Sequence, residues 1–316
     1  MSSPLIVEVT RGHEVESRHQ VDAVVVDQAG RVVAGWGDTD RMVLPRSASK
    51  PLQALPLITT GAADAFDLSQ IELALSCASH NGEPDHTNQV EAWLARLGLP
   101  EETLECGAQR PGYQPAADDL IRSGIEPGHR HNNCSGKHSG FLTVCRHLSL
   151  DPAGYINPDH PLQSDQVTAA LEDLCMIDLA SQTPGIDGCG IPVWAIPITA
   201  LARGWARLAQ RGAGRRLLDA MIANPFYVAG TGRTCTQIMR EARGATAVKT
   251  GAEGVFCASM GDEGLGVALK VRDGASRASG PAIEFVLDRY GTYDAPASRP
   301  VTNWAGTEVG EIRVLT

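Results

Sequence analysis

Both ends of the chain are written for β-strands and the middle for helices, and that order constrains the fold more than any other feature. Near the start, "LIVEVTR" precedes "VDAVVVDQAGRVVAGWG", two β-branched runs around a D-Q-A-G turn. Past residue 243, "ATAVKTG", "GVFCASMG", "GLGVALKVRDG" and "VGEIRVL" are short, β-rich and bounded by glycine, with one helix, "SGPAIEFVLDRYG", among them. The stretch between is helical in period: Ser69 precedes "QIELALSCA", "HTNQVEAWLARLG" ends on glycine, and "SDQVTAALEDLC" and "GRRLLDAMIANP" place apolar residues three and four apart. Terminal strands enclosing a helical block join most economically into one antiparallel sheet with helices packed over it. The reading is a single α/β domain of the α+β kind, residues 1–316, with its sheet drawn from about 1–46 and 244–316 and its helical region from about 47–243.

With 316 residues, 43% of them hydrophobic, the chain can bury a large core. A net charge of −10 and the lack of any basic run exclude a phosphate-backbone partner, so no nucleic acid is expected. The N-terminus "MSSPLIVEVT" has no basic segment followed by an apolar one, and "GIPVWAIPITALA" is too short and proline-rich to span a bilayer. The expectation is a cytoplasmic protein without a membrane partner. Eight scattered cysteines in such a chain are not a disulfide framework, and most read as small buried hydrophobes. Cys134 and Cys189 differ, because polar and glycine residues flank them.

Of 27 basic residues only four are lysines, Lys50, Lys137, Lys249 and Lys270, and the first three sit in short Ser, Cys or Gly motifs. In "RSASKP" a Ser-x-x-Lys at a helix start puts Ser47 and Lys50 on one face, one turn apart. A lysine that is neutral part of the time can take the serine proton; arginine, always charged, cannot. "CASHNGEP" delivers Ser79 at the polar end of an apolar helix. "AVKTGAEG" ends a strand with Lys249 before a glycine, where backbone can be approached closely. "NNCSGKHSG" spaces Cys134 and Lys137 as Cys-x-x-Lys, with His138 next, and "PGIDGCGIP" offers Asp187 and Cys189 in a tight turn. By spacing alone these last two stretches fit a metal site, a Cys134 nucleophile with His138 as base, or structural turns.

Ser-x-x-Lys on a helix with Lys-Thr-Gly on a strand resembles the penicillin-binding proteins and serine β-lactamases, although no Ser-Asp-Asn stands between the two. The fuller set, "RSASKP", "CASHNGE", "NNCSGKHSG", "DGCGIP" and "GRTCTQIM…KTGAEG" in that order, resembles the rhizobial-type (class 3) L-asparaginases, the asparaginase II family, from about residue 5 to 290. That resemblance implies a β-lactamase-like fold, hydrolysis of L-asparagine to aspartate and ammonia, a homodimer, and a zinc ion held by Cys134, Lys137 and Cys189. It assigns Ser47 and Lys50 to a first Ser-Lys tandem and Ser79 and Lys249 to a second. Arg46 and Asp187 would then lie in the substrate pocket, with Asn133, His138 and Arg233 as further candidates.

The functional expectation is an amidohydrolase in which Lys50 activates Ser47, while Ser79 and Lys249 relay protons or protonate the leaving group. The opposite assignment of the two serines stays open. The rival readings are a serine β-lactamase-like hydrolase or esterase, and a non-catalytic, zinc-dependent amino-acid-binding protein.

Overall fold

The computed structural model describes residues 2–210 and 212–315. The chain divides into two units, one of residues 1–48, 195–210 and 241–316, the other of residues 49–194 and 211–240.

The first unit is built on an eight-stranded antiparallel sheet. Its strands are β1 (Leu5–Arg11), β2 (Glu14–Asp27), β3 (Val32–Trp36), β4 (Thr246–Thr250), β5 (Val255–Met260), β6 (Leu265–Val271), β7 (Arg299–Thr302) and β8 (Glu308–Leu315). They run in the order β7-β8-β1-β2-β6-β5-β4, and β3 pairs with the far half of β2. The first and last strands therefore pair, with Ile6 opposite Leu315, and β2 joins them to β6, with Leu265 opposite Asp27. The terminal strands enclose the helices as the sequence pattern implies.

Strand β2 explains its own composition. Val21, Ala23, Val24, Val25 and Val26 are all fully buried, so the run is apolar on both faces instead of alternating. The polar member, Asp22, is buried too, and accepts from Arg41, Arg272 and the Asp38 amide. The helix Ile198–Gln210 belongs with this sheet and not with the helical region in which its position along the chain places it. Gly266 on β6 is the reason: a Cβ there would stand 2.1 Å from the Ala202 carbonyl, so only glycine lets helix and strand backbones approach so closely.

The second unit is helical. Gln70–Ser76 begins with a capping box, in which Ser69 and Glu72 each bond the other's backbone amide. Pro84–Leu97 starts with proline and ends at Gly98 in the left-handed conformation, both signals visible in the sequence. Ser135–Leu148 packs its glycine-bearing first turns on Gln70–Ser76, where a Cβ at Gly136 would stand 2.4 Å from the Leu75 carbonyl. Trp93, fully buried, donates to Thr143 and ties Pro84–Leu97 to the same helix.

Candidate active site

Lys50, Lys137 and Lys249 are each 1% exposed, and they rank among the largest fully buried side chains of the chain. Lysine is rarely buried without a specific partner. Lys270, the lysine without a motif, is partly exposed and donates to the Val271 carbonyl.

In the sheet unit, Ser47 lies half-buried in a 3-10 turn, Arg46–Ser49, that runs directly into the helix Lys50–Gln53. Arg46, just before it, has φ of +50°, a left-handed conformation costly for a residue with a Cβ. The turn is held from two sides. Trp205 donates its indole N–H to the Ala48 carbonyl at 3.2 Å. Gly251 lies so near that a Cβ would stand 2.6 Å from the Pro45 carbonyl oxygen and 3.2 Å from the Ala48 nitrogen. The glycine of Lys-Thr-Gly thus seats the end of β4 against the turn that carries Ser47. Lys249, on that strand, donates to the Thr250 carbonyl at 2.8 Å.

In the helical unit, Lys50 Nζ donates to Ser79 Oγ at 2.9 Å and to the Ala78 carbonyl at 2.5 Å, all three groups buried. Ser79 stands where Gln70–Ser76 has ended, and its amide donates to the Val228 carbonyl at 3.0 Å. The next residue, His80, accepts from the Gly82 amide at Nδ1, which leaves Nε2 as donor to Ser135 Oγ at 2.9 Å. Its amide also donates to the Asn133 carbonyl at 3.1 Å, so one residue fastens the Ser79 loop to the segment bearing Cys134. Burial, with His86 and Lys50 nearby, pushes the His80 imidazole well below its ordinary pKa, so it works as a neutral ring.

Asn81 is a site residue that the sequence motifs alone do not single out. Its amide donates to Glu83 and to the Thr231 carbonyl, and its oxygen accepts from Arg233 at 2.9 Å; the same guanidinium reaches the Ser79 carbonyl at 3.4 Å. Glu83 in turn accepts from the Thr231 amide and hydroxyl. A signal is present nonetheless: Ser79-His80-Asn81 keeps the outer residues of Ser-Asp-Asn, and a search for the intact triplet misses it.

Cys134, Lys137 and Cys189 converge in the same unit. Lys137 Nζ lies 3.0 Å from Cys189 Sγ, and Cys134 shares a hydrogen bond with Cys189. The charges are divided. Cys134 donates, and that bond together with burial pushes its thiol up to about 12. The same bond, aided by Lys137, draws Cys189 down to about 4 against its burial. Burial opposes the charge on Lys137, yet Cys189 and Cys134 hold its pKa above the ordinary value. Two buried sulfurs suit the soft-ligand taste of zinc, and the Lys137 nitrogen would complete the set on giving up its proton. Among the described residues no group of three or more His, Cys, Asp or Glu side chains gathers to hold a metal, so the lysine is indispensable to such a set.

The remaining candidates are placed as follows. Asp187 heads the turn before Cys189, its carboxylate accepting from the Gly188 amide at 2.7 Å and its amide donating to the Ile191 carbonyl. Asn133 Oδ1 lies 2.9 Å from Cys134 Sγ. Arg46 is half-buried beside Ser47. His138 is fully buried, with Nδ1 2.6 Å from the Tyr155 hydroxyl and its ring against Phe141, so it faces the core.

The sequence profile of the L-asparaginase II family matches residues 7–314. The chain belongs to that family. As an L-asparaginase II it is an amidohydrolase whose substrate, by family, is L-asparagine. Among solved structures the chain is similar to a β-lactamase from Mycobacterium bovis, at 17% identity over 86% of this chain and 95% of that one, with a TM-score of 0.42. It is similar also to the simvastatin synthase of Aspergillus terreus, at 10% identity over 86% and 92% of the two chains, with a TM-score of 0.36. A third is a D-alanine carboxypeptidase from Burkholderia cenocepacia, at 13% identity over 82% and 91%, with a TM-score of 0.36. No curated relative matches at a significant level. Among the described residues no helix is long and apolar enough to cross a membrane.

Proposed function

We propose that this L-asparaginase II hydrolyses the side-chain amide of L-asparagine through Ser47, with Lys50 as the base and Ser79 as the group that passes the proton on. The observation that carries the reading is the Lys50 amine. A neutral amine has two N–H bonds and one lone pair, and the Ala78 carbonyl and Ser79 Oγ supply acceptors for both N–H bonds. In this proposal the lone pair takes the proton of Ser47, three residues earlier in the chain.

Ser47 Oγ attacks the amide carbon while its proton moves to Lys50 Nζ. The tetrahedral oxyanion collapses, the C–N bond breaks, and the nitrogen leaves as ammonia with the proton relayed through Ser79. Water then attacks the acyl-enzyme, giving up a proton to the same lysine; the ester bond to Ser47 breaks as the lysine returns that proton to Ser47 Oγ, and aspartate is released. Lys249 serves the proton traffic from the strand seated against the Ser47 turn. Arg46, Arg233 and Asp187 supply opposite charges for the α-carboxylate and α-amine, and Asn133 bears on the metal ligand beside it. His138, in the core behind Lys137, holds the helix in place.

Cys134, Lys137 and Cys189 would hold zinc, which supplies a fixed positive charge that organises the pocket; a serine nucleophile makes a metal hydroxide redundant. A cytoplasmic homodimer completes the proposal. Ammonia release from L-asparagine tests it. Turnover of asparagine that disappears in Lys50→Arg supports the reading, and a folded protein that releases no ammonia from asparagine overturns it.

A further inference from the structure

Glu83 is 7% exposed and heads the helix Pro84–Leu97 without capping it, since its side chain accepts no hydrogen bond from the first turn. Its carboxylate turns instead to the segment 230–231. Oε1 accepts from the Thr231 amide at 2.8 Å and from Asn81 Nδ2 at 3.1 Å, and Oε2 from the Thr231 hydroxyl at 2.7 Å. Among the described residues these donors to Glu83 are all neutral, so the carboxylate is buried without a cation in contact. Burial of that kind costs stability that an apolar residue of the same size would not, and it points to a task for the two oxygens beyond holding a helix end.

The task lies at Asn81, 4% exposed. Glu83 Oε1 and the Thr231 carbonyl, the latter at 3.0 Å, are both acceptors, so they take the amide N–H bonds of Asn81 and leave Oδ1 facing the other way. Oδ1 accepts from Arg233 Nη1 at 2.9 Å, and the same nitrogen reaches the Ser79 carbonyl at 3.4 Å. Glu83 thus sets the orientation of the Asn81 amide, and Arg233 is held by it. Gly230 lets the two segments lie this close: its φ is +111°, and a Cβ there would stand 2.4 Å from Glu83 Oε1 and 2.6 Å from Asn81 Nδ2. With Asn81 between them, the charge of half-buried Arg233 is not cancelled by contact with the carboxylate.

We propose that Glu83 is a positioning residue for substrate recognition: through Asn81 it holds the Arg233 guanidinium beside the Ser79 backbone, where Arg233 takes the α-carboxylate of the amino-acid substrate. The inference rests on L-asparagine as the substrate, and it singles out Arg233 as the carboxylate partner. Glu83 itself touches neither substrate nor reacting atoms.

Steady-state kinetics on L-asparagine test it. Glu83→Ala should raise KM at least about tenfold, the scale of one lost charge-assisted hydrogen bond to substrate, with kcat held within about threefold. Glu83→Gln, which keeps an oxygen where Asn81 and Thr231 donate, should bring KM back to within about threefold of the unmodified enzyme. Arg233→Gln should show the same split, and the double variant Glu83→Ala/Arg233→Gln should lose no more than Arg233→Gln alone, because Glu83 acts through that guanidinium. Asn81→Ala cuts the middle link and should match Glu83→Ala, so the test stands where one variant fails to fold. Losses that multiply in the double variant, or that fall on kcat with KM unchanged, overturn the inference. L-Aspartate carries the same α-carboxylate and reports binding without turnover: its calorimetric dissociation constant should rise in Glu83→Ala by the factor seen in KM. An unmodified protein that releases no ammonia from asparagine contradicts the functional reading alone, whereas an L-aspartate dissociation constant that Glu83→Ala leaves unchanged overturns this inference.

Discussion

Lys50 Nζ stands 2.9 Å from Ser79 Oγ, and both side chains are buried, Lys50 to 1% exposure. A lysine so placed joins two motifs 29 residues apart in the chain, and in the mechanism proposed above Ser47 and Ser79 take unequal parts around its amine. The substitutions of those serines should differ accordingly. Ser47→Ala should fold and lose at least about a hundredfold in turnover, the scale expected when a nucleophile is removed. Ser79→Ala should lose less, because water can stand in for a relay hydroxyl. Rates of ammonia release for the two purified variants decide it, and a dead Ser79→Ala beside a near-normal Ser47→Ala would reverse the assignment.

The glycine of Lys-Thr-Gly offers a test of how β4 is seated. Gly251→Ala places a methyl 2.6 Å from the Pro45 carbonyl oxygen, and a backbone oxygen cannot swing aside as a side chain would. Overpacking of this kind costs about 1–3 kcal/mol, more than the few tenths by which alanine stiffens the unfolded chain. Chemical denaturation should show that loss, with turnover falling further than stability because the Ser47 turn is displaced. Unchanged stability and rate would mean that the strand and the turn do not touch.

Much of this arrangement is legible in the amino-acid sequence, and the reasons are local. The Ser69 capping box, the Gly98 terminus and the apolar run 23–26 of β2 are signals within a few residues, so the sequence pattern points to those elements, although β2 begins at Glu14, ahead of that run. The scarcity of lysine points to Lys50, Lys137 and Lys249 because arginine cannot give up its proton, and all three are buried. The features that stay hidden depend on contacts between distant segments. That Lys50 meets Ser79, that Asn81 bridges Arg233 and Glu83, and that Ile198–Gln210 joins the sheet through Gly266 are facts of tertiary packing that no short window contains. Strand β7 escapes the pattern for a related reason, since its burial alternates only weakly and it pairs with β8 alone.

Acid should weaken the helical unit through His80 and His86. Burial depresses both imidazoles, with His86 and Lys50 adding to the effect on His80. The unfolded chain takes up protons near about pH 6.5 where the folded chain does not. Depressed folded values mean that the contribution is complete above about pH 6.5 and is lost as the pH falls, by up to about 1.4 kcal/mol per pH unit for each ring. Urea denaturation of metal-free protein at pH 7.5 and pH 5 should therefore differ, with the acid sample weaker. Equal stability at the two values would show that these rings are free to protonate in the fold.

Metal content should follow the three converging donors. Cys134→Ser, Cys189→Ser and Lys137→Arg should each lower zinc per chain, measured by elemental analysis after gel filtration, because the loss of one ligand opens the whole set. Lys50→Arg should keep its zinc. Full zinc in Lys137→Arg with loss in both cysteine variants would leave the amine as a charge partner of Cys189 and not a ligand.

The proton-accepting role of Lys50 is tested most directly by Lys50→Arg, which keeps the positive charge and the hydrogen-bond donors but cannot lend a lone pair. Steady-state ammonia release from L-asparagine, on protein whose fold is verified by its unfolding transition, should fall by at least about a hundredfold, with the loss in kcat. Turnover within twofold of the unmodified enzyme would contradict the account, for it would mean that Lys50 serves only as a buried charge.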